Sequence, residues 1–221
     1  MRITSGVFRG RLLKVPKGVR PTQDRVRKAL FDVLGKDVPG RRVLDLFAGS
    51  GALGAEALSR EAASALFVDE DAGAVRAIRD NLAALGLAEQ DRRNRQVAKS
   101  AKAQEEMESH SDFPWRLGGE RVFVAGGRVA EVWRSGYREA LRRLRLAGRT
   151  FDLVLMDPPY GEGLLLEALQ GLAGAEAVAS GGLVVAEADA RLPTPEAAGL
   201  TPLDERVYGG TKLMFWMRTS P

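Results

Sequence analysis

The stretch that decides the fold is Phe-Asp-Leu-Val-Leu-Met-Asp-Pro-Pro-Tyr, residues 151–160. Its apolar run, residues 153–156, has the length and composition of a strand that is buried on both faces of a parallel sheet. Pro158 and Pro159 cannot continue the hydrogen-bond ladder, so the strand is predicted to end at Asp157. Because ligands bind at the carboxyl ends of strands in open α/β sheets, the sequence predicts a binding site at this strand tip.

The groups that follow this strand suit a planar amine attached to an aromatic ring. The lone pair of such an amine is delocalised into the ring, which makes the amine a poor nucleophile. Hydrogen bonds to the Asp157 carboxylate and the Pro158 carbonyl would localise that lone pair and aim it at an electrophile. Pro159 would stiffen the turn, and Tyr160 could stack on the ring. The alternative interpretation is a strand end with a rigid turn and a solvated aspartate.

A second predicted buried strand, residues 41–47, leads into a turn of sequence Ala-Gly-Ser-Gly, residues 48–51. The glycines of this turn and Gly54 match the G-x-G-x-x-G pattern of dinucleotide sites, with Asp69 at about the expected distance downstream. A dinucleotide oxidoreductase is therefore one interpretation. Asp45 argues against it, because a carboxylate just before the turn would repel a pyrophosphate. It favours a cationic ligand, such as the α-ammonium of a methionyl group.

Acidic residues follow the next predicted strand, residues 65–68. Asp69 comes first after the strand, and Glu70 and Asp71 follow it. A carboxylate at such a strand tip can accept hydrogen bonds from both hydroxyls of a ribose, and Asp69 is the preferred candidate because of its position. The alternative interpretation is an exposed acidic helix start that complements the helix dipole.

The amino-terminal residues 1–21 are dense in cations, and no acid occurs before Asp24. Apolar residues are interleaved with these cations, which predicts a small two-stranded hairpin with one face packed down and a cationic outer face. The arm is interpreted as a phosphate-contacting element; an edge strand protected from aggregation by its cations is the alternative. A helix is predicted to begin near Thr22 and to end at Gly35. The candidate phosphate-contacting residues of the arm and this helix are Arg2, Arg9, Arg11, Lys14, Lys17, Arg20, Arg25, Arg27 and Lys28.

The composition excludes several classes of protein. The chain of 221 residues has no cysteine, which excludes disulfides, thiolate metal sites and thiol nucleophiles. Its single histidine, His110, argues against Ser-His-Asp chemistry, and no metal site is expected. No apolar run reaches the roughly 18 residues of a membrane span, and no signal-peptide pattern is present, so a cytoplasmic protein is expected.

These motifs together resemble those of class I S-adenosylmethionine-dependent methyltransferases. The acid before the glycine turn, the acid after the second strand and the Asp-Pro-Pro-Tyr after the fourth strand recur there in the same order. Asp-Pro-Pro-Tyr resembles the signature of enzymes that methylate planar nitrogen, such as nucleic-acid amino groups. Outside residues 88–128 the chain further resembles the RsmD family, whose members methylate guanine N2 in small-subunit ribosomal RNA. That resemblance is carried by Gly10-Arg11, Arg20-Pro21-Thr22, Arg25-Val26-Arg27, Ala29-Leu30-Phe31, the turn motif at residues 45–51 and Tyr208-Gly209.

The resemblance implies a Rossmann-like class I α/β fold, with a seven-stranded mixed sheet, helices on both faces and a small basic N-terminal β-hairpin. It divides the chain into the arm, residues 1–21, and a methyltransferase domain, residues 22–221, with residues 88–128 inserted in it. It implies S-adenosylmethionine as cofactor, ribosomal RNA or a small-subunit assembly particle as partner, no membrane partner, and a monomer. The implied cofactor-binding residues are Asp45, Phe47, Ala48, Gly49, Ser50, Gly51, Asp69, Glu70 and Tyr137.

Two parts of the chain depart from the family pattern. After the predicted third strand, residues 130–133, the family has Gly-Asp, with the aspartate near the adenine amino group, whereas this chain has Gly136-Tyr137. Tyr137 could stack on the adenine or simply cover it. Residues 88–128 show no clean periodicity and are interpreted either as an RNA-contacting flap or as a solvated insertion, with a short strand suggested at residues 122–124.

The carboxyl-terminal third completes the predicted sheet. Residues 181–187 form another buried strand, and residues 207–216 are predicted to form a hairpin around Gly209-Gly210. Three interpretations stand beside guanine methylation: adenine N6 methylation of DNA, a dinucleotide oxidoreductase, and a noncatalytic RNA-binding factor with the same fold.

Overall fold

One mixed β-sheet forms the centre of the molecule. The computed structural model describes residues 1–16, 24–90, 121–159 and 163–219. The strands in these residues are β1 (Arg42–Leu46), β2 (Ser64–Asp69), β3 (Ala88–Gln90), β4 (Arg121–Ala125), β5 (Arg128–Arg134), β6 (Phe151–Met156), β7 (Val178–Asp189), β8 (Leu200–Tyr208) and β9 (Thr211–Arg218).

The order of these nine strands in the sheet is β3-β4-β5-β2-β1-β6-β7-β9-β8. The five central strands, from β5 to β7, are parallel to one another. β9 lies antiparallel between β7 and β8, and β4 and β3 continue the opposite edge in antiparallel pairing. The chain moves outward from β1 through β2 to β5 and then returns to the other side of β1 at β6. A crevice is expected where the strand order reverses, at the carboxyl ends of β1 and β6.

Helices cover both faces of the sheet in the described part of the chain. They are α1 (Asp24–Leu34), α2 (Ala52–Ser59), α3 (Ala72–Ala84), α4 (Tyr137–Leu146) and α5 (Leu164–Gly174). Side chains alternate between the faces along each strand, so Val43 packs with α1, α2 and α3, and Leu44 packs with α4 and α5. None of the described helices is both long and apolar enough to cross a bilayer.

The predicted α/β fold class is confirmed, and the described sheet has nine strands where seven were predicted. The additional strands, β3 and β4, come from the two ends of the inserted residues 88–128. β4 confirms the strand suggested at residues 122–124, and its Phe123 is buried in the core beneath α3. Residues 91–120, with His110, lie outside the described residues.

The described part of the amino-terminal arm, residues 1–16, contains an isolated β-bridge in place of the two paired strands of the predicted hairpin. Arg2 and Leu12 form an isolated antiparallel bridge, and the Ile3 N–H donates to the Arg11 carbonyl at 3.0 Å. Ile3, Phe8 and Leu13 are buried in the same core as α1 to α3. These apolar residues therefore attach the arm to the body of the molecule.

A buried ion pair fastens the arm to α1 and α2. The Glu56 carboxylate accepts hydrogen bonds from the N–H groups of Thr4, at 2.8 Å, and Ser5, at 3.0 Å. Arg27 Nε lies 3.5 Å from Glu56 Oε2, and both side chains are fully buried. Arg27 Nη2 also donates to the Arg2 carbonyl. The prediction that Arg27 contacts phosphate is therefore wrong, because a guanidinium with no exposed surface cannot reach RNA.

Candidate active site

A cleft of about 590 Å³ opens at the carboxyl ends of the central parallel strands. Residues that follow β1, β2, β5 and β6 line it, together with the ends of β7 and β9. Its position is the point at which the strand order reverses, where ligands bind in open α/β sheets. Its volume falls within the range of about 300–1,000 Å³ that is usual for small-molecule sites.

The glycine turn after β1 forms the floor of this cleft. Gly51 precedes the first residue of α2 with a φ of 75°, a conformation that favours glycine. Gly54 is needed for a different reason, since a Cβ there would lie 2.4 Å from the Phe67 ring and 3.1 Å from Asp45 Oδ2. Ala48 and Ser50 are buried within the turn. The third glycine of the motif therefore lets α2 pack closely on β2.

Asp45 is a buried carboxylate at the centre of the cleft, with 1% of its surface exposed. Its Oδ2 accepts a hydrogen bond from the Gly54 N–H at 2.8 Å. Burial raises the pKa of Asp45 well above its usual value, the nearby charges of Asp157 and Asp69 raise it further, and the Gly54 hydrogen bond opposes them. A cationic ligand would favour the charged form of this carboxyl.

Asp69, at the end of β2, holds the glycine turn in place. Its Oδ2 accepts the Gly49 N–H at 2.8 Å, and its Oδ1 accepts the Asp71 N–H at 2.9 Å. Burial raises the pKa of Asp69, and these two hydrogen bonds oppose the shift. Asp71 caps α3 by accepting the Ala74 N–H at 2.7 Å. Asp71 thus acts as the helix start of the alternative interpretation, and it lines the cleft together with Asp69 and the exposed Glu70.

An aromatic pair forms one wall of the cleft. The rings of Phe47 and Tyr137 have centroids 5.2 Å apart and are tilted by 45°. The Tyr137 hydroxyl donates to Glu167 Oε2 at 2.8 Å. Partial burial and this hydrogen bond raise the pKa of Tyr137. The structure places Tyr137 where a flat ring could be covered, and its contact with adenine remains a prediction.

The acceptor side of the cleft is formed by the residues that follow β6. Asp157 is partly buried, Pro158 is buried and Pro159 is exposed, and all three line the cleft. Asp157 lies close enough to Asp45 to raise its pKa through its charge. Tyr160, the fourth predicted residue of this group, lies outside the described residues. The structure therefore brings the predicted acceptor carboxylate and the predicted cofactor carboxylates into one cleft.

Among the residues that the structure describes, the predicted phosphate-contacting cations other than Arg27 lie on the surface. The side chains of the arm and α1 that are exposed are Arg2, Arg9, Arg11, Lys14, Arg25 and Lys28. Lys14 pairs with Asp80 at 3.2 Å, and Lys28 pairs with Asp32 at 2.7 Å. Exposed pairs of this kind are weak, so they leave both lysines available to phosphate. Lys17 and Arg20 lie outside the described residues.

Polar residues near the cleft, among them Asn81 and Glu187, were missed by the reasoning from sequence. Asn81 donates through Nδ2 to the carbonyls of Lys14 and Ser50, both at 2.9 Å, and so links the arm to the glycine turn. The feature of the sequence that could have identified Asn81 is its position, as a polar residue, on the apolar face of α3 that packs on the core. Glu187 lines the cleft and follows the apolar run of β7 directly. A carboxylate directly after a buried apolar run is the pattern that identified Asp157, and the same pattern could have identified Glu187.

Comparisons with known proteins agree with this architecture. The structure of the Escherichia coli protein titled "Putative methyltransferase yhhF" superposes with a TM-score of 0.72 at 31% identity, covering 100% of this chain and 99% of that one. The "Putative rRNA methyltransferase YlbH" of Bacillus subtilis is 31% identical over 221 residues, with 99% of both chains covered. The "Ribosomal RNA small subunit methyltransferase D" of Escherichia coli K12 is 32% identical over 201 residues, covering 89% of this chain and 80% of that relative.

The fold and the cleft define a class I S-adenosylmethionine-dependent methyltransferase. A family model described as "Conserved hypothetical protein 95" matches residues 1–114 and 124–217. The chain belongs to this family, the RsmD family. The cleft fits the cofactor of this class, since a buried carboxylate with a raised pKa suits a cationic ligand and a second carboxylate lies beside the turn.

A dependence of stability on pH follows from the raised pKa of Asp45. Because folding raises this pKa, proton binding by Asp45 contributes to the stability of the folded state. This contribution is present in full below the unfolded pKa and is lost as the pH rises through the folded pKa. Asp45→Asn removes that contribution. We therefore expect this variant to gain stability relative to the wild type as the pH rises above about 4, the pKa of an aspartate in the unfolded chain. Thermal unfolding of both proteins without cofactor measures the difference, and parallel pH profiles would contradict the assignment.

Proposed function

We propose that this protein transfers a methyl group from S-adenosylmethionine to the exocyclic N2 of a guanine in small-subunit ribosomal RNA. The observation that carries the proposal is the Asp157 carboxylate and Pro158 at the end of β6, which open into the same cleft as Asp45 and Asp69. The relatives named as ribosomal RNA methyltransferases support RNA as the substrate.

In this proposal the glycine turn and the acidic strand ends beside it would hold S-adenosylmethionine. When bound, it supplies an electrophilic methyl group on a sulfonium. Asp45 pairs with the α-ammonium of the methionyl group, and Asp69, with Glu70 beside it, accepts hydrogen bonds from the ribose hydroxyls. The backbone of residues 47–51 approaches the ligand closely, and Tyr137 covers the adenine.

The target amine lies between the cofactor and the end of β6. Asp157 accepts one N2–H and the Pro158 carbonyl accepts the other, which concentrates the nitrogen lone pair and directs it at the methyl carbon. As the N–C bond forms, the bond between the methyl carbon and the sulfonium sulfur would break, with its electron pair left on the sulfur of the departing S-adenosylhomocysteine. The nitrogen loses a proton, which Asp157 takes and passes to solvent. Pro159 stiffens the turn, and Tyr160 stacks on the base.

RNA is held by the exposed cations of the arm and α1, which contact phosphates without reading sequence. A guanine in structured RNA must leave its stack to reach the cleft. The substrate is ribosomal RNA, free or in a partly assembled small-subunit particle. One chain supplies Asp45, Asp69 and Asp157, so a monomer suffices. The compared relatives are bacterial, which makes the cytoplasm, where bacterial ribosomes assemble, the proposed compartment.

Product analysis tests the proposal. The protein is incubated with methyl-labelled cofactor and either undermethylated small-subunit RNA, assembled small subunits or DNA, and the nucleosides are then separated and identified by mass spectrometry. We expect label in N2-methylguanosine from RNA. Label in N6-methyl-2′-deoxyadenosine from DNA would favour the alternative chemistry, and RNA binding without any label would favour a noncatalytic factor.

A further inference from the structure

Glu187 is a buried carboxylate in the cleft to which the proposed reaction has so far given no role. It is 7% exposed and lines the same cleft as Asp157. β6 and β7 are parallel neighbours in which Met156 pairs with Ala186. Asp157 directly follows Met156, and Glu187 directly follows Ala186. The backbones of Asp157 and Glu187 therefore lie side by side at about the strand spacing of 4.8 Å.

The alternation of side chains places both carboxylates on one face of the sheet. Leu155 lies two residues before Asp157, and Val185 lies two residues before Glu187. Both apolar residues belong to the core under α1, α2 and α3. Asp157 and Glu187 have the same parity and therefore point to that face. Two neighbouring carboxylates on one face offer adjacent acceptors, which suit a ligand with two adjacent donors.

Thr211 extends this row on the next strand of the sheet. Glu187 pairs with Leu213 of β9, so Thr211 is its diagonal neighbour on the same face. Thr211 is 6% exposed and also lines the cleft. The row thus runs across neighbouring strands as carboxylate, carboxylate and hydroxyl.

We propose that Glu187 selects guanine by accepting the hydrogen bond of its N1–H while Asp157 holds the N2 amine. This inference rests on the proposed function. The Watson–Crick edge of guanine presents N2–H, N1–H and O6 in order, which is donor, donor, acceptor. The row Asp157, Glu187 and Thr211 offers acceptor, acceptor and donor in the matching order. Adenine would direct the lone pair of its N1 at the Glu187 carboxylate, which disfavours it.

A substrate analogue separates the role of Glu187 from the chemistry of methyl transfer. 2-Aminopurine keeps the N2 amine, but its N1 is an unprotonated acceptor and it has no O6 for Thr211. The probe is a synthetic RNA hairpin that carries the guanine labelled by the wild-type protein, with or without 2-aminopurine at that position. We expect the wild type to methylate guanine at least about 10-fold faster than 2-aminopurine, because the hydrogen bond to the charged Glu187 is lost together with the weaker contact to O6.

Glu187→Gln should remove most of this preference. Its amide keeps the size of the side chain and can donate to the unprotonated N1, so the ratio of guanine to 2-aminopurine turnover should approach one. The matched control is Glu196→Gln, which alters an exposed glutamate and should keep the wild-type ratio. Binding of S-adenosylhomocysteine and thermal unfolding verify that the variant is folded.

The outcomes separate this inference from the proposed function. Equal turnover of the two hairpins by the wild type would overturn the role of Glu187, whether or not the variant folds. A wild-type ratio retained in the folded Glu187→Gln protein would overturn it as well. Failure of the wild type to methylate any guanine would instead refute the proposed function.

Discussion

Replacing Asp157 with asparagine is expected to lower the rate of methyl transfer by about 100- to 1,000-fold, the usual effect of losing one preorganised electrostatic contact in an active site. Asparagine keeps the shape and one acceptor oxygen of the aspartate, but it has no negative charge and cannot take the proton that the amine releases. Single-turnover transfer from labelled cofactor to small-subunit RNA measures the rate directly.

Cofactor affinity should respond differently in this variant. The charge of Asp157 contributes to the raised pKa of Asp45, so removing that charge lowers the pKa of Asp45 and should leave binding of S-adenosylhomocysteine unchanged or slightly tighter. Asp204→Asn, a change in an exposed aspartate of β8, is the control and should keep full activity. Undiminished transfer by the Asp157 variant would refute its place in the reaction.

Arg27→Met is expected to have the largest effect on stability. It removes the cation beside the buried Glu56 and a donor to the Arg2 carbonyl. We expect the free energy of unfolding to fall by about 3 kcal/mol, the low end of the range for breaking a buried ion pair, because Arg60 remains 3.1 Å from Glu56. Urea unfolding monitored by circular dichroism gives this quantity.

Arg25→Met provides the matched control for this change. Arg25 lies on the same helix but is exposed, so its replacement should alter the free energy of unfolding by less than about 0.5 kcal/mol. The same variant should weaken RNA binding and reduce its dependence on salt, because it removes one proposed phosphate contact. Equal destabilisation by the two substitutions would show that the buried ion pair contributes little.

The central strands could be predicted because their signals are local. The apolar run at residues 153–156 and the prolines after it predicted a buried strand that ends at Asp157 beside a binding site. In the structure β6 is Phe151–Met156 and Asp157 lines the cleft. Gly209-Gly210 correctly marked the hairpin between β8 and β9, and Gly209 adopts a φ of 63°. A buried strand, a chain reversal and a carboxylate at a strand tip each depend on a few neighbouring residues.

The edge strands and the buried polar residues could not be predicted in this way, because distant parts of the chain determine them. β3 is three residues long and pairs with β4, which lies some thirty residues further along. Arg27 and Asn81 have ordinary surface side chains by type, and the amino-terminal arm buries them by packing over α1 and α3. The sequence periodicity of a helix does not indicate which distant segment of the chain packs over that helix.

A crystal structure with bound S-adenosylmethionine, or with an unreactive analogue that keeps the sulfonium, tests the central claim most directly. The arrangement of acids predicts that the ammonium lies at Asp45, that the ribose lies at Asp69, and that the methyl carbon points toward the space in front of Asp157 and the Pro158 carbonyl. A methyl group that faces away from residue 157, or a cofactor bound outside this cleft, would contradict the account.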